Sequence, residues 1–344
     1  MTPRFRIASL LFLFVWFTAV LRAQIADVQH VVNQGVALHD AGKYEAALEK
    51  YEQALKQDPK SDAAHYEIAV TYFTLGQYDK SIAHCDKIND KSPYIDQAYM
   101  LKGNALDMAG KPEEAIKIYN KALKSNPDNY LIHYNLGYTY YKTRDFVNAE
   151  KSFISALLLK PTHPGSHLLL GYLMIDRGQR LKSILALFNF LLLEPQGKRA
   201  EMAYGKLQEQ LEKGVSKTSG NTITINVDPN SELDEFGAAE MMVSLLQAAK
   251  TTEANSGKTE EQLFVENTQS LFGILGELQK EKKGFWWDFY VDFFRDMNED
   301  KHVEALCYFI SQSQSNGRIH TWLAQNQNKV DQMMDWVNAH PRQQ

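Results

Sequence analysis

The segment "YEQALKQDP" (51–59) has the pattern of a charged helix that is ended by a proline. Proline lacks a backbone N–H and restricts the residue before it, so a helix stops at this point. The same ending returns at a spacing of 34 residues, at Pro59, Pro93, Pro127, Pro161 and Pro195. A fixed spacing of this length predicts a stacked array of repeated helical units.

Two places in every repeat hold a small residue. The five repeats begin at Val28, Asp62, Asp96, Tyr130 and Pro164. Their eighth place is occupied by Gly35, Ala69, Gly103, Gly137 and Gly171. Their twentieth place is occupied by Ala47, Ser81, Ala115, Ala149 and Ser183. A larger side chain would hold crossing helices apart, so we expect these places to mark the contact between the two helices of each unit.

The rest of the repeat fits two helices joined by a turn. The twenty-fourth place holds a mostly large side chain that fills the space beside the small ones: Tyr51, Cys85, Tyr119, Phe153 and Leu187. Three residues later the same helical face carries Ala54, Ile88, Ala122, Ala156 and Phe190. The turns are "AGKY" (41–44), "LGQY" (75–78), "AGKP" (109–112), "TRDF" (143–146) and "RGQR" (177–180). Glycine in such a turn permits the left-handed conformation that ends a helix.

This pattern resembles the tetratricopeptide repeat family over residues 28–195. The resemblance implies an all-α fold: an α-solenoid of five helix pairs. The segment "SILALFNFLLL" (183–193) departs from the family because it is more apolar than an ordinary second helix, so we expect its outer surface to be covered. Residues 198–214 begin like a sixth unit, with Gly205 at the eighth place, and then become polar. They predict a capping helix, which gives residues 24–214 as the array with its cap.

The resemblance also implies a binding surface, because the first helices of this family line a concave side where ligand peptides usually lie. Transferring the groove places one by one gives an aromatic surface with scattered polar groups: Tyr66, Phe73, Asn104, Tyr134, Tyr138, Tyr141, Lys142 and Tyr172. The other groove-facing places hold Val36, His39, Val70, Met100, Asp107, Leu168 and Asp176. Such a surface suits a peptide whose apolar side chains stack on tyrosine. For each tyrosine taken singly, packing between repeats is the alternative.

Chaperone-binding members of the family hold a C-terminal carboxylate with asparagines and cations. Asn104 and Asn135 occupy the two asparagine places here. The lysine place holds Met100, however, and the basic places hold Gly165 and Leu169. Without cations a bound carboxylate would be poorly compensated, so we do not expect this clamp.

The N-terminus predicts a secretory signal over residues 1–23. Two arginines precede the apolar run "IASLLFLFVWFTAV" (7–20), and "LRA" stands before Gln24. A membrane span needs about 20 apolar residues, and this run is shorter. We therefore expect an exported bacterial protein, periplasmic, secreted or in the cell envelope, with no transmembrane anchor after cleavage. A retained anchor is the alternative.

Charge and cysteine content separate the parts of the chain. Residues 24–218 carry a net charge of +1 and residues 219–344 a net charge of −9. Neither part is rich enough in Lys and Arg to predict nucleic-acid binding. The two cysteines, Cys85 and Cys307, have apolar neighbours and are expected to be small buried residues rather than a disulfide framework.

The remaining residues predict a linker and an acidic helical domain. Residues 215–231 are expected to be a linker that contains a short strand, "TITINV" (222–227), for which the sequence offers no obvious partner. The C-terminal domain covers 232–344, with helices over 232–250 and 259–283 and further helices over 285–338. The second of these opens with a capping box, Thr259 and Gln262.

The stretch "GFWWDFYVDFFRDM" (284–297) places its aromatic side chains on one wide helical face. A face of this width favours a central, buried helix of the C-terminal domain. A helix that lies on a membrane or binds a partner is the alternative, although its polar face is acidic where membrane-surface helices prefer Lys and Arg.

Motifs for catalysis, phosphate binding and metal binding are missing from the sequence, so no catalytic residue, metal or cofactor is predicted. We expect a non-enzymatic scaffold or adaptor whose array binds a peptide or protein, and whose C-terminal domain orients it or self-associates. The alternative is an enzyme or carbohydrate-binding protein whose C-terminal domain would stack a sugar on Trp286, Trp287 or Trp322.

Overall fold

The computed structural model describes residues 26–217, 223–225, 235–250, 255–279 and 282–342. The predicted signal at 1–23 lies outside the described residues. The described part is mainly helical, with one short pair of strands. Within it, no helix combines the length and the apolar character that crossing a membrane requires.

Helices occupy the repeats in pairs, as predicted. The first three pairs are α1 (26–40) with α2 (Tyr44–Gln57), α3 (Asp62–Thr74) with α4 (Tyr78–Cys85), and α5 (Ile95–Met108) with α6 (Pro112–Ser125). The next two are α7 (Tyr130–Lys142) with α8 (Phe146–Leu159), and α9 (Pro164–Asp176) with α10 (Arg180–Leu193). The predicted capping helix is present as α11 (Lys198–Glu212).

Further elements follow the repeats. They are β1 (Val215–Lys217), β2 (Ile223–Ile225), α12 (Gly237–Ala249), α13 (Glu260–Gln279), a π-helix (Trp286–Val291), α14 (Asp292–Glu299), α15 (Val303–Ile310), α16 (Gly317–Gln325) and α17 (Gln327–Ala339). The predicted capping box opens α13, where Thr259 N donates to Gln262 Oε1 over 2.9 Å and Gln262 N donates to Thr259 Oγ1 over 3.3 Å.

The small residues of the repeat lie where the two helices of a pair cross. A Cβ atom on Gly35 would lie 2.3 Å from the Tyr51 ring, and one on Gly103 would lie 2.4 Å from the Tyr119 ring. These distances are shorter than any van der Waals contact, so only glycine fits opposite tyrosine. The twentieth-place residues are all completely buried, at Ala47, Ser81, Ala115, Ala149 and Ser183. The predicted contact surface is therefore confirmed.

The turns inside four of the pairs use a left-handed glycine, as expected. Gly42, Gly76, Gly110 and Gly178 have φ between 71° and 75°. The fourth turn has no glycine, and Arg144 takes the same conformation with φ 62°. The geometry of the repeat therefore imposes this conformation even on a residue with a Cβ atom.

Helix α4 ends earlier than its proline predicts. The other second helices end two residues before their prolines, whereas α4 stops at Cys85, eight residues before Pro93. Polar side chains bind the backbone of the intervening turns: Asp62 Oδ1 accepts from Asn89 N, Asn89 Oδ1 from Lys91 N, and Ser92 Oγ from Tyr94 N. These bonds replace those of a helix, which explains the shortening.

Helix α10 is buried on all sides. Every residue from Arg180 to Leu192 is buried, and the helix packs against α9, α11, α12, α15 and the π-helix. The expected cover is therefore present, but it is not α11 alone, because helices of the predicted C-terminal domain complete it. Arg180 ties α10 to two of these elements by donating to Gln210 O and Leu211 O of α11 and to Ser244 Oγ of α12. Burial lowers the pKa of this guanidinium to about 10.

The short strand has a partner that the sequence analysis missed. Strand β2 pairs antiparallel with β1, and Val215 lies opposite Ile225. The segment expected to be a linker with one short strand over 215–231 therefore contains a second strand, β1, at its start. Three-residue strands carry too little hydrophobic alternation to be recognised.

The aromatic stretch at 284–297 is a buried element, but it is not one regular α-helix. It begins as a π-helix over Trp286–Val291 and continues as α14. The wider π turn brings more consecutive residues into the core, and Trp286, Trp287, Phe289, Tyr290 and Val291 are all buried. Trp287 stacks on Phe236 with a centroid distance of 4.3 Å. The interpretation as a central helix of this region is thereby supported.

The described residues form two compact units. The N-terminal unit reaches to Thr139, and the C-terminal unit starts at Tyr140. Within the second unit, α10 packs with α12, α15 and the π-helix. Each unit is described below by itself.

Candidate functional site

The eight side chains of the predicted groove all reach solvent. Tyr138 is 40% exposed and Lys142 is exposed, while the other six are half-buried. The repeat positions that pack between helices behave differently, since Tyr51, Tyr119 and Phe153 are at most 1% exposed. The predicted groove aromatics therefore differ from the aromatics at the helix crossings in their access to a partner.

In the N-terminal unit, aromatic side chains of the first helices contact aromatic residues at or just before the start of the next helices. The Tyr66 ring stacks on that of Tyr94 at a centroid distance of 5.6 Å. The Phe73 ring lies 5.6 Å from that of Tyr78, which begins α4. Burial raises the pKa of Tyr66, and the nearby Glu67 carboxylate raises it further, so its hydroxyl stays protonated.

Asn104 is the centre of a small polar network in the same unit. Its Oδ1 accepts from Tyr119 Oη over 2.7 Å and from Asn135 Nδ2 over 2.9 Å. One oxygen thus joins a side chain of the repeat core to the first helices of two successive repeats. The network holds the Asn104 amide in a fixed orientation, because its Oδ1 atom accepts both bonds.

Tyr141, Tyr172 and Lys142 lie in the C-terminal unit. Tyr141 Oη donates to Asp176 Oδ2 over 2.6 Å, and its ring lies 6.1 Å from Phe146. Burial and the hydrogen bond to Asp176 raise the pKa of Tyr141, and Tyr172 is near enough to raise it further. The structure therefore brings Tyr141, Tyr172 and Asp176 together at one end of α7 and α9.

Sequence reasoning missed two contributors to these surfaces. Tyr94 stands in the turn before α5, outside the places that the family pattern transfers, and yet it stacks on Tyr66. Tyr119 was assigned to the helix crossing alone, although its hydroxyl reaches Asn104. The presence of tyrosine rather than phenylalanine at this place was the available signal, because a buried hydroxyl needs a partner.

The tryptophans proposed for sugar stacking are engaged within the fold. Trp286 and Trp287 are 6% and 1% exposed, and their Nε1 atoms donate to Glu150 Oε1 and Glu235 Oε2. Trp322 stacks on Tyr308 with parallel rings and a centroid distance of 4.0 Å. Neither face of Trp286 or Trp287 is open to a sugar. These two residues therefore do not offer the stacking surface that a carbohydrate-binding site would need.

The cysteines are buried and free, as predicted. Burial raises the pKa of both the Cys85 and the Cys307 thiols to about 12. Among the described residues, no group of three or more His, Cys, Asp and Glu side chains is placed to hold a metal ion.

Family comparisons identify the repeats. A profile described as "TPR repeat" matches residues 35–76 and 103–143, and one described as "Tetratricopeptide repeat" matches residues 130–163. The chain contains tetratricopeptide repeats. These matches lie within the residues 28–195 over which the sequence pattern predicts the family.

Two relatives match part of this chain. Small glutamine-rich tetratricopeptide repeat-containing protein 2 of Saccharomyces cerevisiae is 29% identical over 42% of this chain and 39% of its own length. The Hsp70-Hsp90 organising protein of Plasmodium falciparum is 25% identical over 39% of this chain and 29% of its own length. This chain thus spans about two fifths or less of either relative.

Solved structures of tetratricopeptide proteins are also similar. PilW, described as a widely conserved type IV pilus biogenesis factor, is 19% identical with a TM-score of 0.46, over 68% of this chain and 95% of PilW. A thermophilic tetratricopeptide protein of Thermus thermophilus is 24% identical with a TM-score of 0.42, over 54% of this chain and 98% of its own.

Proposed function

We propose that this chain is a non-catalytic scaffold whose tetratricopeptide repeats bind a peptide or protein partner along their first helices. The observation that carries the proposal is the difference in exposure along the repeat: the eight predicted groove side chains reach solvent, whereas the aromatic side chains at the helix crossings are buried. Exposed tyrosines that are fixed by neighbouring rings and hydrogen bonds lose little conformational entropy when a partner covers them.

The partner is expected to be a segment with apolar side chains. Tyr66, Phe73, Tyr134 and Tyr138 offer aromatic faces, and Asn104 offers an oriented amide for a peptide backbone. A C-terminal carboxylate is not required, because Met100 stands at the place of the clamp lysine. The name of the Plasmodium relative, an organiser of two other proteins, fits the same class of role.

The proposed place of action is outside the cytoplasm. The apolar run at 7–20 and the small residue before Gln24 support this proposal. Mass spectrometry of the protein from its native cells would find a mature N-terminus at Gln24. Protein with an intact Met1 in the cytosolic fraction would contradict export. It would not contradict the proposal that the repeats bind a partner.

Tyr138 provides the sharpest test of partner binding. Peptides selected from a displayed library on the full-length protein would be measured against the Tyr138→Ala variant by fluorescence polarisation. Because this side chain is 40% exposed, its loss should leave folding unchanged. Removal of an aromatic contact at a binding surface typically weakens affinity by about tenfold or more.

Val147→Ala is the matched control. Val147 is 55% exposed on the second helix α8, and it should not affect binding. The Tyr141→Phe variant separates the roles of ring and hydroxyl, since only the bond to Asp176 is lost. Equal affinity of the wild-type and Tyr138→Ala proteins for every selected peptide would refute binding along the first helices.

A further inference from the structure

The first helices of the N-terminal unit carry an excess of negative charge. Up to Thr139, the helices α1, α3, α5 and α7 contain six carboxylates and one lysine. They are Asp27, Asp40, Asp62, Glu67, Asp96 and Asp107, against Lys102. The second helices α2, α4 and α6 of the same unit are balanced, with six carboxylates and six lysines. The negative charge is therefore concentrated on the helices along which partner binding is proposed.

Helix geometry and burial account for four of these carboxylates. Three lie near the starts of α1, α3 and α5, where the positive end of the helix dipole favours a negative charge. Asp107 is buried. Asp40 and Glu67 remain, and Asp40 is the last residue of α1, where the same dipole disfavours a carboxylate. Neither helix geometry nor burial explains these two.

Within the part of the chain that the structure describes, the Asp40 and Glu67 carboxylates have no hydrogen-bond or ion-pair partner. Lys43, which lies three residues after Asp40, does not pair with it. Asp40 is exposed, and Glu67 is half-buried with neither of its carboxylate oxygens enclosed. A bound partner can therefore contact both groups directly.

The two carboxylates lie close enough to influence each other. Burial raises the pKa of Glu67, and the negative charge of Asp40 raises it further. After the larger effect of burial, Glu67 and Asp40 both contribute to raising the pKa of Tyr51 to about 12. Two negative charges at a partly buried place repel each other, and a cation between them would remove this cost.

Hydrogen bonds fix the end of α1 against α3 at this place. Thr71 Oγ1 donates to Glu67 O over 2.9 Å, so His39 Nδ1 donates to Thr71 Oγ1 over 2.8 Å. In the neutral His39 ring, Nε2 is then an acceptor. His39 precedes Asp40, and Thr71 lies one helical turn after Glu67. These acceptor groups are therefore held in place before a partner arrives, which lowers the entropy cost of binding.

An aromatic side chain lies beside the two carboxylates. Tyr66 is near enough to Glu67 for its charge to contribute to the raised pKa of Tyr66. Carboxylates next to an aromatic ring suit a lysine or arginine side chain, because its methylene groups pack on the ring and its charged end pairs with the carboxylates. The same surroundings would repel an acidic peptide.

We propose that the partner bound along the first helices presents a lysine or arginine side chain, whose charged group pairs with Asp40 and Glu67 while Tyr66 packs against its methylene groups. This inference rests on the proposed function and names the chemistry of its partner. The bound segment is therefore basic as well as apolar. Its apolar side chains contact the other groove aromatics.

The test uses the full-length protein and the peptides selected from the displayed library. Lysine and arginine should be enriched in these peptides relative to the unselected library. In the tightest of them, each basic residue is replaced in turn by glutamine. At one position this replacement should weaken binding by about tenfold, because a charged, hydrogen-bonded pair is lost. Fluorescence polarisation measures the affinities.

Two protein variants and one control assign the effect to this place. Glu67→Gln should weaken the basic peptide by about tenfold and leave the affinity of the glutamine peptide unchanged. Asp40→Lys should also weaken the basic peptide, but it should not lower the thermal midpoint, because a lysine is favourable at a helix C-terminus. It therefore gives an answer even if Glu67→Gln folds poorly. Glu52→Gln removes an exposed carboxylate from the second helix α2 and should bind like the wild type.

The outcomes separate this inference from the proposed function. Peptides whose binding depends on Tyr138 but on no basic residue would overturn the preference for a cation and leave partner binding intact. The same conclusion would follow if Asp40→Lys and Glu67→Gln bound the basic peptide as tightly as the wild type. If no peptide binds, or if Tyr138→Ala changes none of the affinities, both proposals are refuted.

Discussion

Single residues decide how each repeat turns. Gly110 has φ 75°, and a Cβ atom placed on it would have nothing within 4 Å. Its only requirement is therefore conformational. Arg144 meets the same requirement at φ 62° with a side chain in place, so the fourth turn is the one in which the repeat tolerates backbone strain.

Two glycine-to-alanine changes in open space should have opposite effects. Gly110→Ala should lower the free energy of unfolding by about 1 kcal/mol, because alanine disfavours the left-handed conformation. Gly205→Ala also adds a Cβ atom with no neighbour within 4 Å, but in the middle of α11, and should raise the free energy of unfolding by about 0.5–1 kcal/mol. Urea unfolding of both variants measures the difference. A loss of stability in both would show that the added methyl group, rather than the backbone, decides the outcome.

At the scale of helices, the sequence predicted contacts better than it predicted boundaries. The pairing of Gly103 with Tyr119 could be read directly from the repeat, because close crossing restricts residue size at fixed places. The end of α4 could not, since it depends on hydrogen bonds between Asp62 and Asn89, which are 27 residues apart. The π turn and the β1–β2 pair likewise result from tertiary packing that no local pattern records.

The same limit applies to the candidate site. The family pattern indicated which first-helix residues reach solvent. In the structure, none of the eight side chains is fully buried. The pattern gave no sign of the Asn104–Tyr119 and Tyr141–Asp176 hydrogen bonds, because side-chain directions depend on rotation about each helix. Whether a partner binds this surface stays a prediction.

Gly103→Ala tests the helix crossing. The new Cβ atom would lie 2.4 Å from the Tyr119 ring, so the two helices must separate, and the free energy of unfolding should fall by about 1–3 kcal/mol. The second repeat packs Ala69 with Cys85 at the same places. Combining Gly103→Ala with Tyr119→Cys should therefore cost less than the sum of the two single changes, by at least about 1 kcal/mol in a double-mutant cycle. Additive effects would contradict direct packing of the pair.

Across the whole molecule, both units contain histidines that fold in the neutral form. In the N-terminal unit, His65 Nε2 donates to Pro59 O, so its Nδ1 accepts from His84 Nδ1 over 3.2 Å. Burial lowers the pKa of His65, and burial together with Lys87 and His65 lowers the pKa of His84 to about 4. In the C-terminal unit, burial lowers the pKa of His167, which contacts Tyr290 Oη.

These histidines predict a loss of stability in acid. A histidine whose pKa is lower in the folded state stabilises the fold fully above its unfolded pKa of about 6.5, and this contribution is lost as the pH falls from about 6.5 towards the folded value. For His84 the loss extends to about pH 4. Urea midpoints measured at several pH values should therefore decrease more steeply in the wild type than in His84→Gln. His320→Gln, which changes an exposed histidine, is the control and should match the wild type. Identical profiles for wild type and His84→Gln would exclude this linkage.

The complete enclosure of α10 limits how this chain can be divided. A fragment that stops at residue 195 or 214, where the repeat pattern ends, would lack the π-helix, α12 and α15. These elements cover α10, in which the thirteen residues Arg180–Leu192 are all buried. The Leu, Ile and Phe side chains of α10 would then be exposed to solvent, so such a fragment should self-associate or unfold. We therefore expect that α10 and the C-terminal helices that cover it must be kept in one fragment for expression, crystallisation and partner screening.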